Sequence, residues 1–113
     1  MCIKKPVFSK NHLLLYYVYI LYSEKFDKYY IGHTDDIENR LWSHNNSIRE
    51  TYTSKYRPWH ILACFEASNV RSCAMNYEKQ IKRFKSKKMI KQIIDGDLPE
   101  SLAQLVRVPN KKL

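Results

Sequence analysis

Glu78 is the carboxylate whose position asks for a chemical reason. It lies beside Tyr77 and in register with Ala74 and Ile81, at the edge of an apolar helical stripe. A charge there is held cheaply only when it is ion-paired, hydrogen-bonded or bound to a metal. Lys82, one helical turn on, offers the ordinary ion pair. Arg40 either presents its planar fork of donors to a phosphate or makes a surface salt bridge. His44 follows Arg40 on the same helical face, as a switchable donor or base or as a helix-end cap. The chain also holds nine tyrosines. Most suit an amphipathic core. A phenol has a reference pKa of about 10, so it acts as a base only where cations or a metal stabilise the phenolate.

These groups need elements to position them. Tyr16 to Tyr22 is rich in tyrosine and β-branched residues, and so is Lys28 to Gly32. Such residues suit a pleated, half-buried surface, and the turn-compatible stretch between the two runs predicts a hairpin. Period-two alternation puts Tyr17, Tyr19 and Leu21 on one face, and Tyr30 and Gly32 on one face of the second strand. The register is open, so a shared face for Tyr19 and Tyr30 is an expectation. Gly32 is read as ending the second strand before the chain turns into a helix. That helix begins at Thr34 or Asp35, where Asp35 and Glu38 fit a capping box, and it carries Ile37, Leu41 and Trp42 as its apolar stripe.

Asn45 to Pro58 has no period and sets Arg49, Lys55 and Arg57 among Tyr52 and Tyr56. Cations interleaved with aromatic rings suit a phosphate backbone and stacked bases; an exposed connection is the other reading. Trp59 to Glu66 reads as a third strand, central and the most buried. Val70 to Lys85 is an amphipathic helix with Ala74, Tyr77, Ile81 and Phe84 on its stripe. Ser86 caps a third helix over Lys87 to Ile94, which Asp95-Gly96 stops. Leu98 to Val106 reads as a short helix with Pro99 in its first turn. The organisation expected is an arm over 1–13, one domain over 14–96, and a short helix with a basic tail over 97–113.

The length of 113 residues suits one domain with one modest core. Lys and Arg number 20 against 11 acids, a formal net charge of +9. That excess favours a polyanion: nucleic acid first, an anionic membrane surface second. Cys2, Cys64 and Cys73 have no zinc spacing, and their odd count argues for a reducing compartment. The longest apolar run, Leu13 to Tyr22, is about half the ~20 residues of a membrane span. A cytoplasmic protein is expected.

Tyr17-Val18-Tyr19, Tyr30-Ile31-Gly32-His33-Thr34, Arg40-Leu41, His44 and Glu78 occur in an order that resembles the GIY-YIG nuclease family. The likeness is greatest to its small single-domain members, related to the nuclease domain of the excision-repair excinuclease. It covers about Tyr16 to Met89. It implies a small α/β (α+β) fold, a three-stranded antiparallel sheet flanked by helices. It also implies an endonuclease that hydrolyses phosphodiester bonds in DNA with one divalent ion, Mg2+ or Mn2+. On that resemblance Tyr19 and Tyr30 are the motif tyrosines, and one of them, more often the second, helps deprotonate the attacking water. Arg40 holds the scissile phosphate, Glu78 is the metal ligand, and His44 matches a histidine of many members. His33 stands where some relatives carry lysine, and with Arg49, Lys55 and Arg57 it is an expected nucleic-acid contact. Tyr17 replaces the glycine of the first motif. The competing expectation is a non-catalytic module that holds nucleic acid on the same scaffold. Oligomeric state is left open by the sequence.

Overall fold

In the computed structural model, which describes residues 14–109, the tyrosine-rich run is β1 (Tyr16–Ser23). It pairs antiparallel with β2 (Lys28–Thr34), and the register sets Tyr19 opposite Gly32 and Leu21 opposite Tyr30. Asp27 closes the turn with a left-handed φ of 51°, a conformation Asp tolerates better than most residues. Lys87 fastens that turn through an ion pair to Asp27 at 2.5 Å.

β3 (His60–Ser68) pairs with the other side of β1. The sheet has four strands, in the order β2-β1-β3-β4, where three were expected. The added strand, β4, is Val106–Arg107. It lies in the stretch read as a short helix and basic tail, which instead has a 3-10 turn at Glu100–Leu102 and then this pairing. Arg107 explains the placement. The register of β1 on β3 skips Leu62, and the skipped carbonyl accepts from Arg107 Nη2 at 3.2 Å. Its other amino group donates to Ile94 O at the end of the third helix.

The sheet separates two cores. On one face Val18, Ile20, Ile31, Ala63 and Phe65 meet α2 (Arg71–Phe84) and α3 (Lys87–Ile94). On the other face Tyr19, Leu21 and Cys64 meet Trp59, with Tyr30 and α1 (Ile37–Asn46) packed against them. β1 is the most buried strand, a place expected of β3: Val18 to Leu21 are at most 1% exposed. Both faces of β1 are covered and both its edges are paired along its length, whereas β3 meets only a two-residue strand on its outer side. Among the described residues no helix is long and apolar enough to cross a membrane. Cys64 is a buried free thiol, whereas Cys73 is disulfide-bonded, against the expectation of reduced cysteines.

The helix ends follow their local chemistry. Ser86 caps α3 by accepting from Met89 N at 3.4 Å, and Gly96 ends the helix with φ +90°. α1 starts one residue later than the expected capping box. Thr34 completes β2, its hydroxyl accepts from Asp36 N at 3.1 Å, and Asp36 accepts from Asn39 N at 3.1 Å. Trp42, expected on the apolar stripe, is 62% exposed.

Gly32 lies inside β2 and does not end it. A Cβ at this position would lie 2.5 Å from the Tyr19 hydroxyl and 3.1 Å from the Tyr30 ring. The Tyr19 ring crosses the bare backbone, and at 1% exposure it has nowhere to move. We therefore expect Gly32→Ala to lower stability by about 1–3 kcal/mol, as overpacking does. Urea unfolding measures this, and an unchanged midpoint would contradict the packing described.

Candidate active site

The buried Tyr19 hydroxyl organises the cleft side of the sheet. It lies 2.9 Å from His44 Nε2, and His44 Nδ1 lies 2.9 Å from Thr53 Oγ1. Burial chiefly, then Tyr30 and Glu78, raise the Tyr19 pKa against the pull of Arg40. Tyr19 therefore keeps its proton and donates it to His44 Nε2. The Nδ1 proton is left to donate to Thr53. Burial, then the charges of Arg40 and Arg57, push the His44 pKa down to about 4.

Beyond this pair opens a cleft of about 260 Å³, lined by Tyr30, Arg40, His44, Arg49, Tyr52 and Thr53 among others. Tyr30 and His44 meet edge to face with centroids 4.9 Å apart. Two elements bring these side chains together. β2 carries Tyr30, while α1 carries Arg40 and His44 one turn apart. The 3-10 turn Thr53–Tyr56 closes the far wall.

Glu78 stands around the edge of β2, on α2. Its Oε1 is 2.6 Å from His33 Nδ1, and its Oε2 accepts from Lys82 Nζ at 2.5 Å. Arg71 Nε donates to His33 Nε2 at 3.3 Å, which leaves the Nδ1 proton of His33 aimed at Glu78. Burial works to raise the Glu78 pKa, but hydrogen bonds from Lys82 and His33 outweigh it and hold the carboxyl below its usual value. Lys82 also sits over the Tyr30 ring, 5.7 Å from its centroid. The acid and the phenol thus share one ammonium.

A sequence profile described as "GIY-YIG catalytic domain" matches residues 15–91, which span β1 to α3. The chain belongs to the GIY-YIG family. It is also similar to the UPF0213 protein SSP2268 of Staphylococcus saprophyticus, 36% identical over 81 residues. That match covers 72% of this chain and 96% of the relative. A GIY-YIG domain is a nuclease domain, so a nuclease-like role with nucleic acid as partner follows at that coarse level.

Each expected site residue of the GIY-YIG motif now has a location. Tyr30, Arg40 and His44 line the cleft, and Tyr19 reaches it through His44. Glu78 is joined to Tyr30 through Lys82. Arg49 lines the cleft mouth, and Lys55 lies with it along a second, outer groove. His33 is turned onto Glu78 and Arg71. Arg57 borders the outer groove too, with its guanidinium turned onto α1. Its Nε donates to His44 O at 2.6 Å and its Nη2 to Ser47 O at 2.7 Å, satisfying carbonyls at the end of α1.

Sequence reasoning missed Thr53, the partner that fixes the His44 ring. It also missed Asn45, which accepts from Trp59 N at 2.7 Å and donates to Trp59 O at 2.9 Å. Both lie in or beside an aperiodic polar stretch, where only three-dimensional neighbours give a residue its task. Lys82 was visible as a partner of Glu78 but not as a neighbour of Tyr30.

Glu78 offers carboxylate oxygens of the kind a divalent cation such as magnesium takes. Such an ion takes oxygen ligands and keeps several waters, so one carboxylate suffices when a phosphate supplies another oxygen. Among the described residues no group of three or more His, Cys, Asp or Glu gathers to hold a metal. Glu78 would be the protein's ligand. Lys82, with a side chain 47% exposed, can swing off Oε2 to make room.

The buried histidine has a consequence for stability. An unfolded His takes up a proton near pH 6.5, whereas folded His44 does so only near pH 4. Between these values the unfolded chain binds more protons, so stability falls as pH falls. We expect His44 to cost roughly 3 kcal/mol across this window. His44→Gln, which does not titrate, should flatten that part of the slope in urea titrations at stepped pH. An identical slope in the variant would contradict the burial argument.

Proposed function

We propose that this chain is a metal-dependent endonuclease that hydrolyses phosphodiester bonds in DNA. The observation that carries the reading is the meeting of Tyr30, Arg40 and His44 in one cleft, with Glu78 tied to Tyr30 through Lys82. Tyr30 is the phenol that meets the attacking water. It opens onto the cleft, and Lys82 lies over its ring. Tyr19 is the positioning phenol, since burial keeps its proton on and directs it to His44. Arg40 stabilises the charge that develops on the scissile phosphate. Glu78 holds the divalent ion, and His33 and Arg71 orient its carboxylate. When bound, the ion neutralises charge on the phosphate and on the departing oxygen.

A second reading is favoured by the occupancy of Glu78, whose two oxygens are both taken by neighbours. On it, the same surface holds nucleic acid without cutting. Supercoiled plasmid with protein and magnesium separates the two. We expect nicking by the native chain, and a fall of at least about 100-fold in Tyr30→Phe, Arg40→Ala and Glu78→Ala. Equal nicking by all four preparations would identify a contaminating nuclease. Salt-sensitive binding that survives Glu78→Ala, with no cleavage of plasmid or oligonucleotides by any preparation, would decide for the binding module.

A further inference from the structure

A row of aromatic rings leaves the cleft. Tyr30 and Tyr52 are stacked at 27° with centroids 6.4 Å apart. Tyr52 is 5.0 Å from Tyr56, and Tyr56 is 5.4 Å from Phe26 on the β1–β2 turn. Tyr56 packs against the cleft-side core, whereas Tyr52 is 50% and Phe26 40% exposed. Lysines accompany them. Lys28 Nζ lies 4.9 Å over the Tyr56 ring and Lys25 Nζ 5.4 Å over Phe26. The row begins at Tyr30 and Tyr52, which line the cleft, and ends at Phe26 on the β1–β2 turn that leads into Tyr30.

We propose that this row is a track for an unpaired DNA strand, so that the substrate carries single-stranded nucleotides beside the bond that is cut. This rests on the nuclease reading above and names the class of substrate. Bases within a duplex have their faces buried against each other; only unpaired bases can stack on protein rings. Ring contacts of 5.0 to 6.4 Å string the side chains along one surface, and Tyr52 and Phe26 keep part of that surface open. Stacking tolerates any base, and ammonium groups at the rings supply the phosphate contacts. Lys25 and Lys28 would exchange ring faces for phosphates as bases take their place. Arg49, at the cleft mouth, continues the positive charge inward.

The test is binding, read apart from cleavage. Fluorescence anisotropy in EDTA compares a labelled single-stranded DNA 15-mer, the same sequence as a duplex, and the RNA of that sequence. We expect the single strand to bind at least tenfold more tightly than the duplex. Phe26→Leu removes a stacking face but keeps apolar bulk; it should weaken single-strand binding at least about fivefold and leave duplex binding within twofold. Phe26→Trp should restore it. Thermal unfolding of both variants checks the fold, and Lys28→Gln provides a second variant should Phe26→Leu fail to fold. Equal or tighter duplex binding, or single-strand binding unmoved by Phe26→Leu and Lys28→Gln, overturns the proposal. Tighter binding of RNA by tenfold overturns the assignment to DNA. Because no metal is present, loss of plasmid nicking with this preference intact would sink the nuclease reading alone.

Discussion

One phenol lying across one glycine sets the geometry of the cleft. The Tyr19 ring passes over Gly32 at a distance no side chain would allow, and its hydroxyl then meets His44. Three elements are fixed by that contact. β1 supplies the phenol, β2 the gap, and α1 the imidazole, which Thr53 holds from behind. Because β1 is buried on both faces, the phenol is anchored in the most buried strand of the sheet. Tyr30 and Arg40 sit one step outward on the same β2 and α1. Their positions therefore depend on a hydrogen bond that neither of them makes.

A different constraint governs the acid. Glu78 lies on the helix that covers the opposite face of the sheet, so it reaches the cleft only around the edge of β2. That edge is where His33 and Lys82 stand. A carboxylate with one oxygen held by an imidazole and the other by an ammonium is oriented before any substrate arrives. The ammonium is the exchangeable member. It is half-exposed, and it lies between the acid and the Tyr30 ring. In the proposed reaction a divalent cation would take over its charge at Glu78, so the acid gains a ligand without ever being left unpaired.

The parts of this arrangement that the sequence discloses are those carried by local period. Alternation in the tyrosine-rich run separates Tyr19 from Val18 and Ile20, and the structure puts them in different cores. The stripe of α2 and the Ser86 cap are equally local. What stays hidden depends on register or on contact across the chain. The task of Gly32 exists only once Tyr19 is known to lie opposite it, and a hairpin with a turn of this length leaves that pairing open. Arg57 reads as a nucleic-acid contact because it stands among Tyr52 and Tyr56 in a basic stretch. Its real partners are carbonyls at the end of a helix, an acceptor set that leaves no mark in side-chain sequence. β4 is too short for any periodicity to reveal it.

The two motif tyrosines show how position assigns chemistry to identical groups. Tyr19 is almost fully buried, donates to a neutral imidazole, and has its proton held on by burial. A phenol so placed cannot take a proton from water, because the phenolate would have to form where no solvent reaches it. Tyr30 projects from the neighbouring strand into the open cleft, with an ammonium over its ring. In the proposed reaction, exchanged roles would seal the base in the core and leave the anchor in solvent. The pairing of Tyr19 with Gly32 forbids that exchange, since it admits only one of the two rings beneath the surface. The division between a buried phenol and a cleft-facing one is therefore a product of strand register.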